Sequence, residues 1–196
     1  MTGKQSFMRK AYPVIMKLTR FFGVNNKAFS NKRSVKPAVP FYTLQANANT
    51  GKPISFADFQ HKKVLLVNTA SDCGYTGQYA ELQQLHEQFP DLAILAFPAN
   101  DFKEQEKADD QSIAAFCQVN YGVSFPLMQK TSVVKGTQQN PVFSWLSDAA
   151  KNGWNDQQPQ WNFSKYLVNG KGELMNYFGP AISPVSDTFI TALKQL

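Results

Sequence analysis

Two short apolar runs constrain the fold of this chain more than any other feature. Val64-Leu65-Leu66-Val67 and Leu92-Ala93-Ile94-Leu95-Ala96-Phe97 have the length of buried strands. Between them Tyr79, Leu82, Leu85, His86 and Phe89 recur on one face of a helix that stops at Pro90. Downstream, Asp109-Asp110 and Gln111-Ser112 open a helix carrying Ile113, Phe116 and Cys117, and residues 125–128 read as a short strand. Residues 141–150 read as a further helix. Residues 166–168 and 173–178 flank Asn169-Gly170-Lys171-Gly172 as a hairpin, and residues 187–196 close the chain as a helix. Upstream, residues 41–46 and 53–56 flank Asn47-Ala48-Asn49-Thr50-Gly51 as a second hairpin. Strand–helix–strand followed by helix and hairpin implies α/β layers with helices on both faces of the sheet. No internal repeat and no low-complexity linker interrupts them.

The 196 residues suit one domain with a full core. No apolar run approaches the ~18 residues that a membrane span needs. Two Cys and two His exclude a disulfide scaffold and a Cys/His metal cluster, so no metal and no cofactor is expected. A reducing, cytoplasmic setting with reversible cysteine chemistry fits best.

The net charge of +6 is unevenly placed. Ten of the twenty Lys/Arg and none of the fourteen acids lie in residues 1–57. The remainder carries ten bases against fourteen acids, a net charge of −4. The basic character belongs to the N-terminal segment, so it does not make the body a nucleic-acid binder. We divide the chain into a basic extension, 1–37, and a folded body, 38–196. In the extension Phe7, Ala11, Tyr12, Val14, Ile15, Leu18, Phe21 and Phe22 recur near helical spacing among Arg9, Lys10, Lys17 and Arg20. Pro13 predicts a kink or two short helices, and Gly23-Val24-Asn25-Asn26 breaks the pattern. The segment lacks the continuous apolar core of a secretory signal. Three readings stand: a helix packed on the body, a peripheral contact of residues 4–22 with anionic membrane, and an organellar targeting segment.

Cys73 carries the strongest chemical signal. It follows the first buried strand, where the chain turns toward the next helix. Thiol chemistry needs the thiolate, and unsatisfied N–H groups at a helix start favour it. That placement suits redox chemistry or acyl transfer. In Cys73-Gly74-Tyr75-Thr76 a Thr stands where a local disulfide would need a second Cys. Any disulfide within the chain must therefore use Cys117.

The run Asn68-Thr69-Ala70-Ser71-Asp72-Cys73-Gly74-Tyr75-Thr76 resembles the active-site turn of the glutathione peroxidase family in its non-selenium, cysteine-containing form. Two more segments, in order, resemble its other motifs. They are Leu95-Ala96-Phe97-Pro98-Ala99-Asn100-Asp101-Phe102-Lys103-Glu104-Gln105-Glu106 and Trp161-Asn162-Phe163-Ser164-Lys165-Tyr166-Leu167-Val168. The resemblance covers about residues 40–196. It implies a thioredoxin-like fold and a catalytic tetrad of Cys73, Gln105, Trp161 and Asn162. Neutral donors suit the task, because the Gln105 amide, the Trp161 indole and Asn162 can point hydrogens at a thiolate and at peroxide oxygens. The implied reaction is reduction of hydrogen peroxide and organic or lipid hydroperoxides through a Cys73 sulfenic acid, as in defence against oxidative stress.

The segment from Phe116 to Pro126 resembles the resolving-cysteine region of the thioredoxin-dependent branch. The resemblance thus implies a Cys73–Cys117 disulfide, re-reduced by thioredoxin. Two separate helices usually hold Cα atoms beyond the roughly 7 Å that a disulfide permits, so the Cys117 helix is expected to unravel. Ala99 stands where the family often has a Cys, and Asp101 where it often has a Gln; Asp101 is expected to point outward. Only fourteen residues, 147–160, separate the Trp145-Leu146 helix from Trp161, without the longer insertion of tetrameric, glutathione-using members. That favours a monomer. Direct use of glutathione, a peroxide sensor that relays a disulfide to a partner, and a membrane-surface scaffold remain as alternatives.

Overall fold

The computed structural model describes residues 2–21 and 26–196. The main sheet has five strands in the order β1-β7-β6-β4-β5. At its centre β4 (Lys63–Thr69) runs parallel to β5 (Leu92–Pro98) and antiparallel to β6 (Lys165–Val168). β6 pairs with β7 (Leu174–Phe178), and the edge strand β1 (Ala28–Ser30) pairs antiparallel with β7. A separate hairpin joins β2 (Gln45–Asn47) to β3 (Pro53–Ser55).

Alternation along the strands builds two cores. Leu65, Val67, Ile94, Ala96 and Leu167 face one side, and Val64, Leu66, Leu95, Phe97, Tyr166 and Val168 face the other. Each such buried side chain is worth roughly 1.5–3 kcal/mol over exposure, so both faces need cover. On the first side α2 (Gln78–Gln88) brings Tyr79, Leu82 and Leu85, α3 (Asp110–Tyr121) brings Ile113 and Cys117, and α6 (Asp187–Lys194) brings Phe189 and Leu193. On the second, α4 (Pro141–Leu146) brings Val142, Phe143, Trp145 and Leu146. The expected α/β layering is present.

Local expectations fail in four places. Residues 141–150 form two helices, because the chain leaves α4 at Ser147 and Asp148 caps α5 (Ala149–Asn152) by accepting from the Ala150 N–H. Phe41–Thr43 is a 3₁₀ turn, since Phe41 drops into the second core rather than extending the hairpin. Residues 125–128 make isolated bridges, Leu127 to Ala96 and Met128 to Ala48, where a strand was expected. Finally, α1 (Gly3–Phe21) is one helix with Pro13 inside it, which overturns the alternative of two short helices. The missing N–H costs about 3 kcal/mol. Burial of Tyr12, with Ile15 and Met16 packed beside it, offsets that. Of the expected break at residues 23–26, Gly23, Val24 and Asn25 lie outside the described residues.

Tyr12 docks on the segment that leads from Cys73 into α2. A Cβ built on Gly77 would stand 2.5 Å from the Tyr12 ring, so only glycine admits this approach. Opposite it, the Gln78 amide donates to the Pro180 carbonyl at 2.7 Å. The Lys165 ammonium, fully buried, donates to the carbonyls of Pro180 and Ile182. Burial pulls its pKa from 10.5 down to about 7, against the attraction of Glu81.

Candidate active site

Three loops, each at the end of a core strand, meet around Cys73. The first is the turn after β4. Thr76 holds it closed: its hydroxyl accepts from the Cys73 N–H at 3.0 Å and lies 2.9 Å from the Ala70 carbonyl. The second follows β5. Ala99 N–H donates to Thr69 at 3.0 Å and Asp72 N–H to the Gln105 carbonyl at 3.1 Å, so two rungs fasten this loop to the turn. Lys103 and Glu104 are both left-handed, with φ of 52° and 49°. That tight reversal, strained for residues with a Cβ, sets the direction of Gln105. The third loop precedes β6. Asn68 of β4 pins it, donating from Nδ2 to the Trp161 carbonyl at 3.1 Å and accepting the Ser164 N–H at 3.0 Å. Phe163, at φ 69°, turns Trp161 and Asn162 back toward the sulfur.

The four expected residues come together. The Tyr75 N–H donates to Cys73 Sγ at 3.4 Å. The Trp161 and Asn162 side chains and the Gly74 N–H also favour charge on that sulfur. Gln105 joins through its neighbour, its Oε1 accepting from Asn162 Nδ2 at 3.0 Å. Gln105 thus supports the sulfur's partner, where direct contact with sulfur was expected. Asn162 and Cys73 are fully buried, whereas Gln105 and Trp161 are half-exposed.

The electrostatics correct one expectation. α2 begins at Gln78, beyond the turn, so Cys73 does not stand at its first residue. Burial outweighs the four donors and pushes the thiol from 9.0 up to about 11. The resting site holds a protonated thiol with charge-stabilising groups already aimed at it. Asp101 is half-buried and turned away from the sulfur, accepting from Ser132 Oγ and the Val133 N–H, each at 2.8 Å.

Cys117 is buried within α3, in the same core cluster as Cys73, and both are free thiols. Burial pushes the Cys117 thiol up to about 12, with the Tyr79 hydroxyl beside it favouring charge and Glu106 opposing it. Three contributors escaped the sequence reading. Tyr79 reads as one more core residue of an amphipathic helix. Glu106 reads as a surface acid, as most Glu do. Lys103, whose ammonium lies 5.7 Å from the Trp161 ring centroid, reads as a loop lysine. A groove of about 840 Å³ between α1 and residues 181–188 contains none of the tetrad. Among the described residues no three His, Cys, Asp or Glu side chains are grouped to hold a metal.

A family model described as Glutathione peroxidase matches residues 41–147. The chain belongs to the glutathione peroxidase family. It is 42% identical over 148 residues to a glutathione peroxidase-like peroxiredoxin of Chlamydomonas reinhardtii, covering 74% of this chain and 90% of that one. The crystal structure of T. cruzi GPX1 superposes with a TM-score of 0.60 at 27% identity, covering 79% of this chain and 94% of that one. A thiol:disulfide interchange protein of the thioredoxin family from Chlorobium tepidum TLS superposes with a TM-score of 0.56 at 14% identity, covering 82% and 95%. The fold is thioredoxin-like, and family membership makes the protein a peroxidase.

Proposed function

We propose that this chain is a thiol peroxidase that reduces hydrogen peroxide and organic or lipid hydroperoxides through Cys73, with Cys117 as resolving thiol and thioredoxin as reductant. The observation that carries the reading is the convergence on one buried sulfur of two backbone N–H groups and the Trp161 and Asn162 side chains, braced by Gln105. The thiol gives up its proton, and the four donors hold the resulting thiolate. It attacks one peroxide oxygen, and the O–O bond breaks. The released oxygen takes a proton and leaves as water or alcohol, while Cys73 becomes a sulfenic acid. Donors placed in advance stabilise charge that develops on sulfur and on the departing oxygen.

Cys117 then displaces hydroxide from that sulfur. Its burial within a regular helix supports a step in which α3 opens. Thioredoxin reduces the disulfide. The test is turnover with thioredoxin and with glutathione in wild type and Cys117→Ser, with peptide mapping after peroxide. Loss of thioredoxin-supported turnover in the variant and a Cys73–Cys117 link in the wild type are expected. Unchanged turnover with glutathione in Cys117→Ser would instead establish direct glutathione use, and slow turnover with a mixed disulfide at Cys117 would establish a sensor.

The same reading places the protein in the cytoplasm as a monomer, with peripheral contact to anionic membrane through residues 4–22. Phe7, Val14 and Leu18 are exposed on α1, with Lys10 and Lys17 exposed beside them, which supports that contact. No helix among the described residues is long and apolar enough to cross a membrane. Co-sedimentation with anionic but not neutral vesicles is the expected result, and equal binding to both or to neither would overturn it.

A further inference from the structure

α1 takes no part in the chemistry described above, and it lies outside the segment that matches the family, which begins at residue 41. Its inner face is nevertheless built into the body. Tyr12 belongs to the same buried cluster as Cys73, Tyr75 and Tyr79, with Ile15 and Met16 packed against that cluster. The contact falls on Gly77, four residues beyond Cys73. Gly77 stands at φ −57° and ψ −20°, right-handed backbone that any residue adopts. The turn itself therefore does not require glycine there. The Tyr12 ring does: a Cβ at position 77 would stand 2.5 Å from Tyr12 Cγ and Cδ1 and 3.0 Å from Tyr12 Cβ. Gln78 is fully buried, its amide donating to the Pro180 carbonyl at 2.7 Å and lying 3.9 Å from Met16 Sδ. Gly77 and Gln78 are thus clamped between α1 and Pro180.

The clamped segment is continuous with the turn around the sulfur. The Thr76 N–H donates to the Cys73 carbonyl at 3.1 Å, the Gln78 N–H to the Tyr75 carbonyl at 2.9 Å and the Tyr79 N–H to the Thr76 carbonyl at 3.1 Å. The Thr76 hydroxyl accepts from the Cys73 N–H at 3.0 Å. These bonds leave no slack between Gly77 and the Tyr75 N–H, which donates to Cys73 Sγ at 3.4 Å. Hydrogen bonds weaken steeply as they bend, so a shift at Gly77 reaches the sulfur through that donor.

We propose that Tyr12 is a positioning residue of the peroxide-reducing step: its ring, seated on Gly77, holds the turn so that the Tyr75 N–H stays aimed at the Cys73 sulfur. The inference rests on the reading of Cys73 as the thiol that attacks peroxide. Tyr12 touches no reacting atom and acts through the backbone of residues 75–77. Its ring carbons, and not its hydroxyl, make the seat. α1 is then part of the catalytic scaffold as well as the bearer of the exposed Phe7, Val14 and Leu18.

The test reads the Cys73 step by itself. Reduced full-length protein is mixed with hydrogen peroxide, quenched at short times and analysed by mass spectrometry for oxidation at Cys73. Tyr12→Ala is expected to slow that oxidation about tenfold, the scale of one hydrogen bond lost to a charged group. Tyr12→Phe, which keeps the ring, is expected to restore the rate, and a Tyr12→Phe as slow as Tyr12→Ala overturns the proposal. Gly77→Ala is expected to slow oxidation by a similar factor alone and to add nothing in Tyr12→Ala, because the new methyl then meets no ring. An equal Gly77→Ala loss with and without Tyr12 overturns the proposal, since the effect then belongs to the turn. A purely structural role would lower the melting temperature of Tyr12→Ala and leave the oxidation rate of the folded protein unchanged, which also overturns it. Should Tyr12→Ala fail to fold, Gly77→Ala carries the test, and a wild-type rate there overturns the proposal. Peroxide turnover that survives Cys73→Ser sinks the reading of Cys73 and this inference with it. Cys73 oxidised as fast in Tyr12→Ala as in the wild type sinks the Tyr12 role alone.

Discussion

Cys73 and Cys117 are both fully buried, share one core cluster and both have their thiols pushed upward, yet they sit in opposite kinds of structure. Cys73 lies in a turn whose backbone is fastened to two other loops, and donors from two of the three segments converge on its sulfur. Cys117 lies inside a regular helix, where the Tyr79 hydroxyl favours charge on its sulfur and Glu106 opposes it. Equal burial thus has unequal meaning. Around Cys73, rigid polar groups wait for a charge. Around Cys117, helix and core hold a thiol that the proposed resolving step needs elsewhere.

The largest effect tests the Cys73 half of the contrast. Cys73→Ser should reduce peroxide turnover to background, because a serine hydroxyl forms no sulfenic acid; residual turnover by peroxide-consumption assay would move the chemistry to Cys117. Next, Asn162→Ala removes a donor to sulfur and the partner of Gln105. Losing a hydrogen bond to a charged group costs about 1.5–3 kcal/mol, so Cys73 oxidation should slow about 10–100-fold in stopped-flow measurement. An unchanged rate would mean that Trp161 and the backbone suffice.

A third change probes the Cys117 half. Gly122 ends α3 at φ +66° with open space around it, so Gly122→Ala adds strain without a clash, about 1–2 kcal/mol. If α3 must open, disulfide formation should accelerate by up to about 30-fold. A slower or unchanged rate would show that Cys117 reaches Cys73 without helix opening.

The remaining effects are on stability. Folded Glu106 keeps its proton up to about 7 and the unfolded carboxyl loses it near 4.5, so the folded state binds more protons between them. Stability from this group therefore falls as pH rises through that window, by on the order of 2–3 kcal/mol. Lys165 is the reverse case: lowered to about 7, it makes stability rise with pH from about 7 toward 10.5. Thermal melts of Glu106→Gln and Lys165→Met should lose the acid-side and the alkaline-side slope respectively, and slopes kept in both variants would refute the assignment.

Much of this was legible in the chain. Continuous apolar runs and a 3.6-residue pattern marked the βαβ unit, and turn residues marked the 166–178 hairpin, because the central strands are buried on both faces and alternate side chains enter the two cores. Period carries no information where tertiary contact overrides it. Pro13 passes unnoticed through α1 because Tyr12 is anchored over Gly77, and residues 141–150 split because caps and core end α4 early. β1 was missed because three exposed residues, Ala28, Phe29 and Ser30, have no pattern; their partner is β7, far along the chain.

The site divides in the same way. The sequence by itself determined which residues are the candidates, because Cys73, Gln105, Trp161 and Asn162 stand in three recognisable segments. Only the tertiary structure decided their state. Whether the thiol is ionised depends on how much water the fold removes, against how many donors it aims at sulfur. Here burial prevails, and the resting thiol stands near 11. The fold likewise made Tyr79 and Glu106 act on the Cys117 thiol. Burial and the approach of remote groups are sums over the whole chain, and no local run of residues encodes them.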